Sequence, residues 1–505
     1  MARYKIVDRS PRFLPVILDA QLMSGSFEYA LDYLIDHQLD MSALDRRYRN
    51  DDTGSTAYDP RVLLKIILLA YSRGMISSRN IERACRENVL FMAISGDSAP
   101  QFTTLAKFVR ELHSEIAELF TQVLMTCDAQ GLIGRQMFAI DGVKLPSNAS
   151  KQKSGTHPEL TRQAERMESA IAAMLTAHQS CDEMKPDEDG EPQRAQRINQ
   201  LATEAARIRN FLATHFERRS RKGAIRKSNT TDNDSAKMAT SKGVIQGYTG
   251  IAAVDAQHQI IIAANAHGSG SEQEALLPMI ERTDPIRTAQ TLITADAGYH
   301  SEANLKQLHE QEIPALIADG LMRKRDPRFA DQVKYQTRPH PLHDKRPPKP
   351  TAKFQPKDFS YDVQANTCIC PAGKSLYSNG NHCTVNGRTH HKFQGSHSAC
   401  GPCDLRQRCL RHPERTLTRQ VAFFHKQQAS PLPHTERMKQ AIDSPEGRKR
   451  YGPRMATVEP VLGNLRYNKK LDRFTLRGQA KVNTQWHLFC LVHNIEKLAH
   501  HGYGQ

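Results

Sequence analysis

Apolar residues recur at three- and four-residue steps over the first 130 positions, and their punctuation predicts helices. Asp59 and Pro60 read as N-cap and first-turn proline of a helix that Gly74 closes after VLLKIILLAYSR. Ser77 or Ser78 opens a second, NIERACRENVLFMAI, and Thr103 or Thr104 a third, with Phe108, Leu112, Ile116, Leu119 and Val123 on one face. Basic residues are scattered over the polar faces. The pattern suits a small helical DNA-binding domain and equally a solvated bundle that touches no DNA.

Beyond residue 130 the period changes. QMFAIDGVKLP (136–146) reads as a short strand ending at Asp141. Residues 158–217 read as a helical hairpin: Met167, Ile171 and Met174 share a face of one arm, and Ile198, Leu201, Ala205, Ile208 and Leu212 form a stripe on the other. An acidic connector, DEMKPDEDGEP, breaks the arms, and a basic run follows at 218–227. VIQGYTGIAAVD and HQIIIAANAH form an antiparallel hairpin. Ser271 with Glu274 makes a capping-box pattern ahead of EQEALLPMIER. TLITADAGYHS is a buried strand ending at Asp296, EANLKQLHEQ a helix, and EIPALIAD another strand. The order β, helical insert, β–β–α–β–α–β predicts an α/β core with a mixed sheet.

The rest divides into a basic, proline-rich stretch from 321, a cysteine-rich region at 360–410, and helical patterns after 434. The expected segments are 1–130, 131–157, 158–228, 229–320, 321–433 and 434–505.

Charge narrows the function. With 70 Lys and Arg against 54 Asp and Glu, the net charge is +16, which favours an anionic polymer as partner. MARYKIVDRSPRFLPVIL lacks the apolar core of a signal peptide, and no run reaches the roughly 20 apolar residues of a membrane span. A cytoplasmic, nucleoid-associated protein without disulfides is expected.

Asp141 and Asp296 each close an expected strand, where open α/β sheets place ligands. Two carboxylates side by side repel unless a cation neutralises them, and Mg²⁺ is a hard ion that takes carboxylate oxygens. Two such ions suit in-line phosphoryl displacement. Glu459, in RKRYGPRMATVEPVLGNLR, is the candidate third ligand, and Pro460 after it predicts a helix start or kink with Thr457 as N-cap. Singly, each carboxylate reads as well as a turn or helix cap.

Over nearly its whole length the chain resembles bacterial insertion-sequence transposases of the DDE class. YDPRVLLKIILLAYSRGMISSRNIERACRENVLFMAISGDSAPQFTTLAKFVR resembles the N-terminal helical domain of that family. AIDGVKLPSNASK and TADAGYHS resemble its two aspartate motifs, and RYGPRMATVEPVLGNLR with LRGQAKVNTQWHLFCLVHNIEKL its glutamate block and C-terminal helix. The resemblance implies a ribonuclease-H-like core, with Asp141, Asp296 and Glu459 as a triad binding two Mg²⁺ or Mn²⁺ ions. It further implies that Tyr451, Arg454 and Arg466 contact DNA. Four residues separate Arg454 from Glu459 where the family has three, and Arg466 stands where the family has lysine. The implied reaction hydrolyses a phosphodiester at an element end and joins the freed 3′-hydroxyl to target double-stranded DNA, in a homodimer or larger complex. An inactive DNA-binding descendant and a nuclease that cuts without joining are the alternatives.

Six of the ten cysteines lie between Cys368 and Cys409. The pairs Cys368-x-Cys370 and Cys400-x₂-Cys403 suit a tetrahedral zinc site, with Cys409 and Cys383 in reserve. His382, His390, His391 and His397 offer other ligands, and buried free thiols are the alternative reading.

Overall fold

The computed structural model describes residues 15–48, 56–182, 191–219, 223–240, 243–329, 353–380, 383–385, 388–424 and 433–504. Most of the acidic hairpin connector, positions 220–222 of the basic run, His382 and the segment PHPLHDKRPPKP lie outside the described residues. The chain forms two compact units, Met1–Arg325 with Arg437–Gln505, and Asp326–Glu436.

One-turn helices aside, the first unit begins with α1 (Phe27–His37), α2 (Pro60–Ser72), α3 (Ser78–Glu87), α4 (Val89–Ser95), α5 (Phe102–Glu111) and α6 (Ile116–Ala129). Asp59 caps α2 by accepting the Arg61 amide at 2.7 Å, and Gly74 turns the chain at φ +69°. The second expected helix is two, because Asn88 takes an extended backbone and caps α4 through the Leu90 amide. The third is also two, split at residues 112–115.

The main sheet contains β1 (Met137–Pro146), β2 (Ala236–Thr240), β3 (Gly243–Asp255), β4 (Ile261–His267), β5 (Leu292–Ala295) and β6 (Ala315–Ile317). Its order is β4-β3-β1-β5-β6, with β2 beside the start of β3. β1 runs antiparallel to β3 and parallel to β5, and β5 parallel to β6. This is the ribonuclease-H-like mixed sheet expected. Asp141 does not end its strand, however. Gly142–Pro146 continue the ladder against Gly247–Ile251, so Asp141 lies mid-strand.

The hairpin insertion is α7 (His157–Asp182) and α8 (Glu191–Thr214), joined by a small apolar seam of Leu160, Ala164, Ile208 and Phe211. After β4, the Ser271–Glu274 capping box does not form. Glu272 is instead N-cap of a 3-10 turn, Gln273–Ala275, that runs into α9 (Leu276–Glu281). α10 (Glu302–Glu310) connects β5 to β6.

The C-terminal part contributes α11 (Pro433–Asp443), α12 (Pro445–Tyr451), α13 (Arg454–Gly463) and α14 (Gln479–His500). α14 is buried nearly all round, and its buried polar residues Thr484, Gln485, His487, His493 and Asn494 are hydrogen-bonded. It packs against α1, α2, α5 and α6 on one side and β4 on the other. Trp486, the single tryptophan, is fully buried and donates its indole N–H to Ile251 O at 3.0 Å. Asn494 closes both backbone groups of Ile261, and Asn483 accepts the Ala266 amide, so side-chain amides cover the open edge of β4.

The second unit contains an antiparallel sheet that the polar sequence did not advertise. Its strands are β7 (Ser360–Asp362), β8 (Thr367–Ile369), β9 (Ser375–Ser378), β10 (Cys383–Val385), β11 (Arg388–Gln394) and β12 (Gln420–Phe424). Phe359, Cys368, Leu376, Phe393 and Val421 form its small core.

Candidate active site

Two neighbouring strands bring the aspartates together. β1 and β5 are parallel in the register Ile140↔Ala295, so Asp141 and Asp296 occupy the next positions along adjacent chains, roughly 5 Å apart by strand spacing. The Asp296 side chain turns the chain that follows it, accepting the Gly298 amide at 2.8 Å. Asp141 accepts its neighbour Gly142 N–H at 2.7 Å through one oxygen, and the Arg454 guanidinium at 2.7 Å through the other.

Burial pushes the Asp141 carboxyl up to about 6 against the pull of Arg454, and Asp296 pushes it further the same way. Arg454 is itself buried, and its Nε has no hydrogen-bond partner among the described residues. Tyr451, at the end of α12, donates its hydroxyl to the carbonyl of Ala295, one residue before Asp296, at 3.1 Å. Tyr451 and Arg454, expected at DNA, thus both reach the aspartate pair from the turn at Gly452 and Pro453.

Glu459 stands differently. The buried face of α13 carries Arg454, Thr457, Val458, Val461 and Leu462. Glu459, five residues after Arg454, is turned roughly 140° from it around the helix and is exposed. Nor does the helix begin at Pro460. It begins after Pro453, and Thr457 bonds back to the Pro453 carbonyl at 3.1 Å instead of capping. Pro460 lies inside α13, where it leaves the Ala456 carbonyl without its helical donor. Gln259 supplies one, its side-chain amide reaching Ala456 O at 3.0 Å. The proline therefore does not break the helix. A π-helical turn follows, Asn464–Asn468, the irregularity that often marks working sites. It holds Arg466, which shares a groove of about 670 Å³ with Gly142, Lys144, Glu272 and Tyr467.

Three residues of this neighbourhood escaped the sequence reading: Lys144, Glu272 and Tyr299. Lys144 and Tyr299 lie inside the two aspartate motifs, so their proximity was legible in principle. Glu272 is brought in by the sheet order alone. It pairs with Lys144 at 3.0 Å. Among the described residues, no three His, Cys, Asp or Glu side chains converge closely enough to hold an ion as they stand.

In the second unit, Cys370, Cys400, Cys403 and Cys409 line one small cavity of about 30 Å³. Cys368 is fully buried in the apolar core instead, where burial pushes its thiol up to about 11. The Lys374 amide reaches the Cys370 sulfur at 3.4 Å. Cys383 lies on β10, outside the lining of that cavity.

No helix among the described residues is long and apolar enough to cross a membrane. No curated protein matches the chain. Two family models do. Residues 16–111, which run from before α1 through α5, match the family described as Transposase domain (DUF772). Residues 369–499, which include α13 and all but the last residue of α14, match the family described as Transposase DDE domain. Asp141 and Asp296 lie outside both stretches, and the sheet supplies them independently. Helical N-terminal region, mixed sheet with paired aspartates and the two matched domains agree: the family matches indicate an insertion-sequence transposase of the DDE class.

Proposed function

We propose that this transposase cuts and rejoins DNA at the Asp141–Asp296 pair with Mg²⁺ or Mn²⁺ as cofactor. The observation that carries the reading is the parallel register of β1 and β5, which sets two carboxylates side by side. Oxygen donors of this kind fit a hard divalent cation. The Arg454 Nε, without a hydrogen-bond partner among the described residues, fits a site that also receives an anion. Bound there, such an ion supplies charge neutralisation at phosphorus and a more acidic water.

The chain's own groups do the rest. Arg454 holds Asp141 by one oxygen and keeps a second donor for phosphate. Tyr451 fixes the strand end that presents Asp296. Lys144 and Arg466 line the groove beside them and neutralise backbone phosphates. Water oxygen adds to phosphorus, the P–O3′ bond breaks, and a 3′-hydroxyl is freed. That oxygen then attacks a target phosphodiester and displaces its 3′-oxygen. Glu459 is the proposed third carboxylate by family resemblance. Its exposed position on α13 means that DNA or metal must draw it in.

The test is a plasmid carrying this gene with its flanking DNA, incubated with the purified chain. Nicked and joined products should require Mg²⁺ or Mn²⁺. Asp141→Asn, Asp296→Asn and Glu459→Gln should each abolish both products while leaving DNA retention on a gel intact. Any variant that cuts at the wild-type rate removes its residue from the site. Nicks without joined products would leave a nuclease.

For the second unit we propose a structural zinc held by Cys370, Cys400, Cys403 and Cys409. Their shared cavity supports this set over one containing Cys368. The Lys374 amide at the Cys370 sulfur would favour a thiolate there.

A further inference from the structure

Glu272 sits at the end of β4 by sequence and at the aspartate pair in space. Lys144 holds its Oε1 at 3.0 Å. Its Oε2 points to Gly298: a β-carbon built there would collide with that oxygen and lie 3.0 Å from Oδ1 of Asp296. Two carboxylates thus edge the same glycine, and only a residue without a side chain leaves them room.

The loop that carries Glu272 is tied to the loop that carries Asp296. Asn304, buried at the start of α10, donates to Gln273 O and to Tyr299 O, both at 2.9 Å. Gln273 in turn donates to His300 O at 3.3 Å. These bonds fix Glu272 relative to the aspartates rather than leaving it on a loose turn.

A second, independent feature points to a ligand. Tyr299 is fully buried, and its hydroxyl has no hydrogen-bond partner among the described residues. That hydroxyl stands 3.3 Å from where a β-carbon of Gly142 would be, next to Asp141. Buried hydroxyls are rarely left unpaired, because an unmade bond costs the desolvation of the group. Asp141, Glu272 and Asp296 all act electrostatically on this phenol. Three negative groups here face two positive ones, Lys144 and Arg454.

From the shared Gly298 edge and the unpartnered Tyr299 hydroxyl we propose that Glu272 is a further carboxylate ligand of the divalent-cation site formed by Asp141 and Asp296, drawn in by the cation, with the Tyr299 hydroxyl positioning what the cation carries. The proposal rests on the reading of that pair as a metal site. Lys144 holds Glu272 by one oxygen, and a cation competes for the carboxylate. Removing the charge of a hard oxygen ligand lowers the charge count that tunes affinity for such a cation.

The experiment measures Mn²⁺ binding to the full chain without DNA, by the loss of the free-ion paramagnetic resonance signal. Glu272→Gln should weaken binding at least tenfold, and Glu272→Asp, which keeps the charge but withdraws it by one methylene, should recover part of that. Lys144→Met frees Glu272 and should leave binding as tight or tighter. Tyr299→Phe should weaken it several-fold. Glu274→Gln, an exposed neighbour, serves as control and should change nothing. Trp486 emission confirms that each variant is folded. Wild-type affinity in Glu272→Gln, or equal losses in Glu274→Gln, overturns the proposal while Asp141→Asn still abolishes binding. Wild-type protein that binds no Mn²⁺ would instead sink the metal reading of the pair itself.

Discussion

Replacing Asp141 by Asn should change how the stability of the first unit depends on pH. In the folded chain, burial raises this carboxyl from 3.8 to about 6 despite Arg454. The folded state therefore binds the proton more tightly than the unfolded state. The associated stability is fully present below pH 3.8 and is lost as pH rises through about 6. A shift of roughly two units corresponds to about 3 kcal/mol between these limits. The side chain is only 16% exposed, so solvent screening discounts this little. Asn does not titrate. The stability of Asp141→Asn minus that of wild type should climb by up to about 3 kcal/mol from pH 4 to pH 7 and then level off. Loss of the Arg454 ion pair adds an offset to that difference but not its slope. Urea unfolding in chelator, followed by Trp486 fluorescence, isolates the first unit, because the protein has no other tryptophan. A difference that is flat across this range, or that falls, would refute the argument that a desolvated charge sits on β1.

Other perturbations have equally definite outcomes. Gly250→Ala drives a methyl to 2.8 Å from the Trp486 ring and should cost about 1–3 kcal/mol, read with a shifted tryptophan emission. Gln259→Ala should cost about 0.5–1.5 kcal/mol by removing the side-chain donor to the water-accessible Ala456 carbonyl. Adding Pro460→Ala restores a backbone donor there, so a double-mutant cycle should show rescue, and simple additivity would disprove the link. Cys400→Ser with Cys403→Ser should lose about one zinc per chain and open residues 360–410 to protease; zinc-free wild type of equal resistance leaves free thiols standing. Lys237, exposed on β2 in a pocket with Arg218, Arg226 and Lys227, should lower the slope of log affinity against log salt by about 0.9 when changed to Ala. An unchanged slope would show that this basic cluster touches no DNA phosphate.

What the sequence revealed and what it hid have separate physical origins. Period and punctuation are local, so the strands around Asp141 and Asp296, the β3–β4 hairpin and the Asp59–Pro60 helix start were readable from neighbouring residues. Asp141 was read as the end of a short strand in QMFAIDGVKLP. Its continuation depends on a partner strand a hundred residues away. Pro460 was read as a break because its missing donor is visible in sequence, whereas the compensating Gln259 is not. Glu272 looked like a helix-start residue, and nothing local relates it to Asp296. The second unit looked irregular because its sheet encloses so few apolar side chains. Cys368 and Cys370 look equivalent along the chain, but β8 ends at Ile369, so Cys370 leaves the ladder and lines the cavity while Cys368 stays in the core.

The position of α14 in the chain bears on how the molecule comes to exist. The face of α2 that it covers, where Tyr71 stacks on Phe489, is synthesised about 400 residues before it. At roughly 5–20 residues per second this is a wait of tens of seconds. Throughout that interval the early helices and the edge of β4 stay open to water and to other chains, and Arg454 is not there to meet Asp141. Contacts so distant in sequence also close slowly once both partners exist. Ribosomes that stop anywhere before residue 479 release a fragment with its apolar faces exposed. The yield of folded chain is therefore governed by translation speed and chaperone supply as much as by the equilibrium stability of the finished fold.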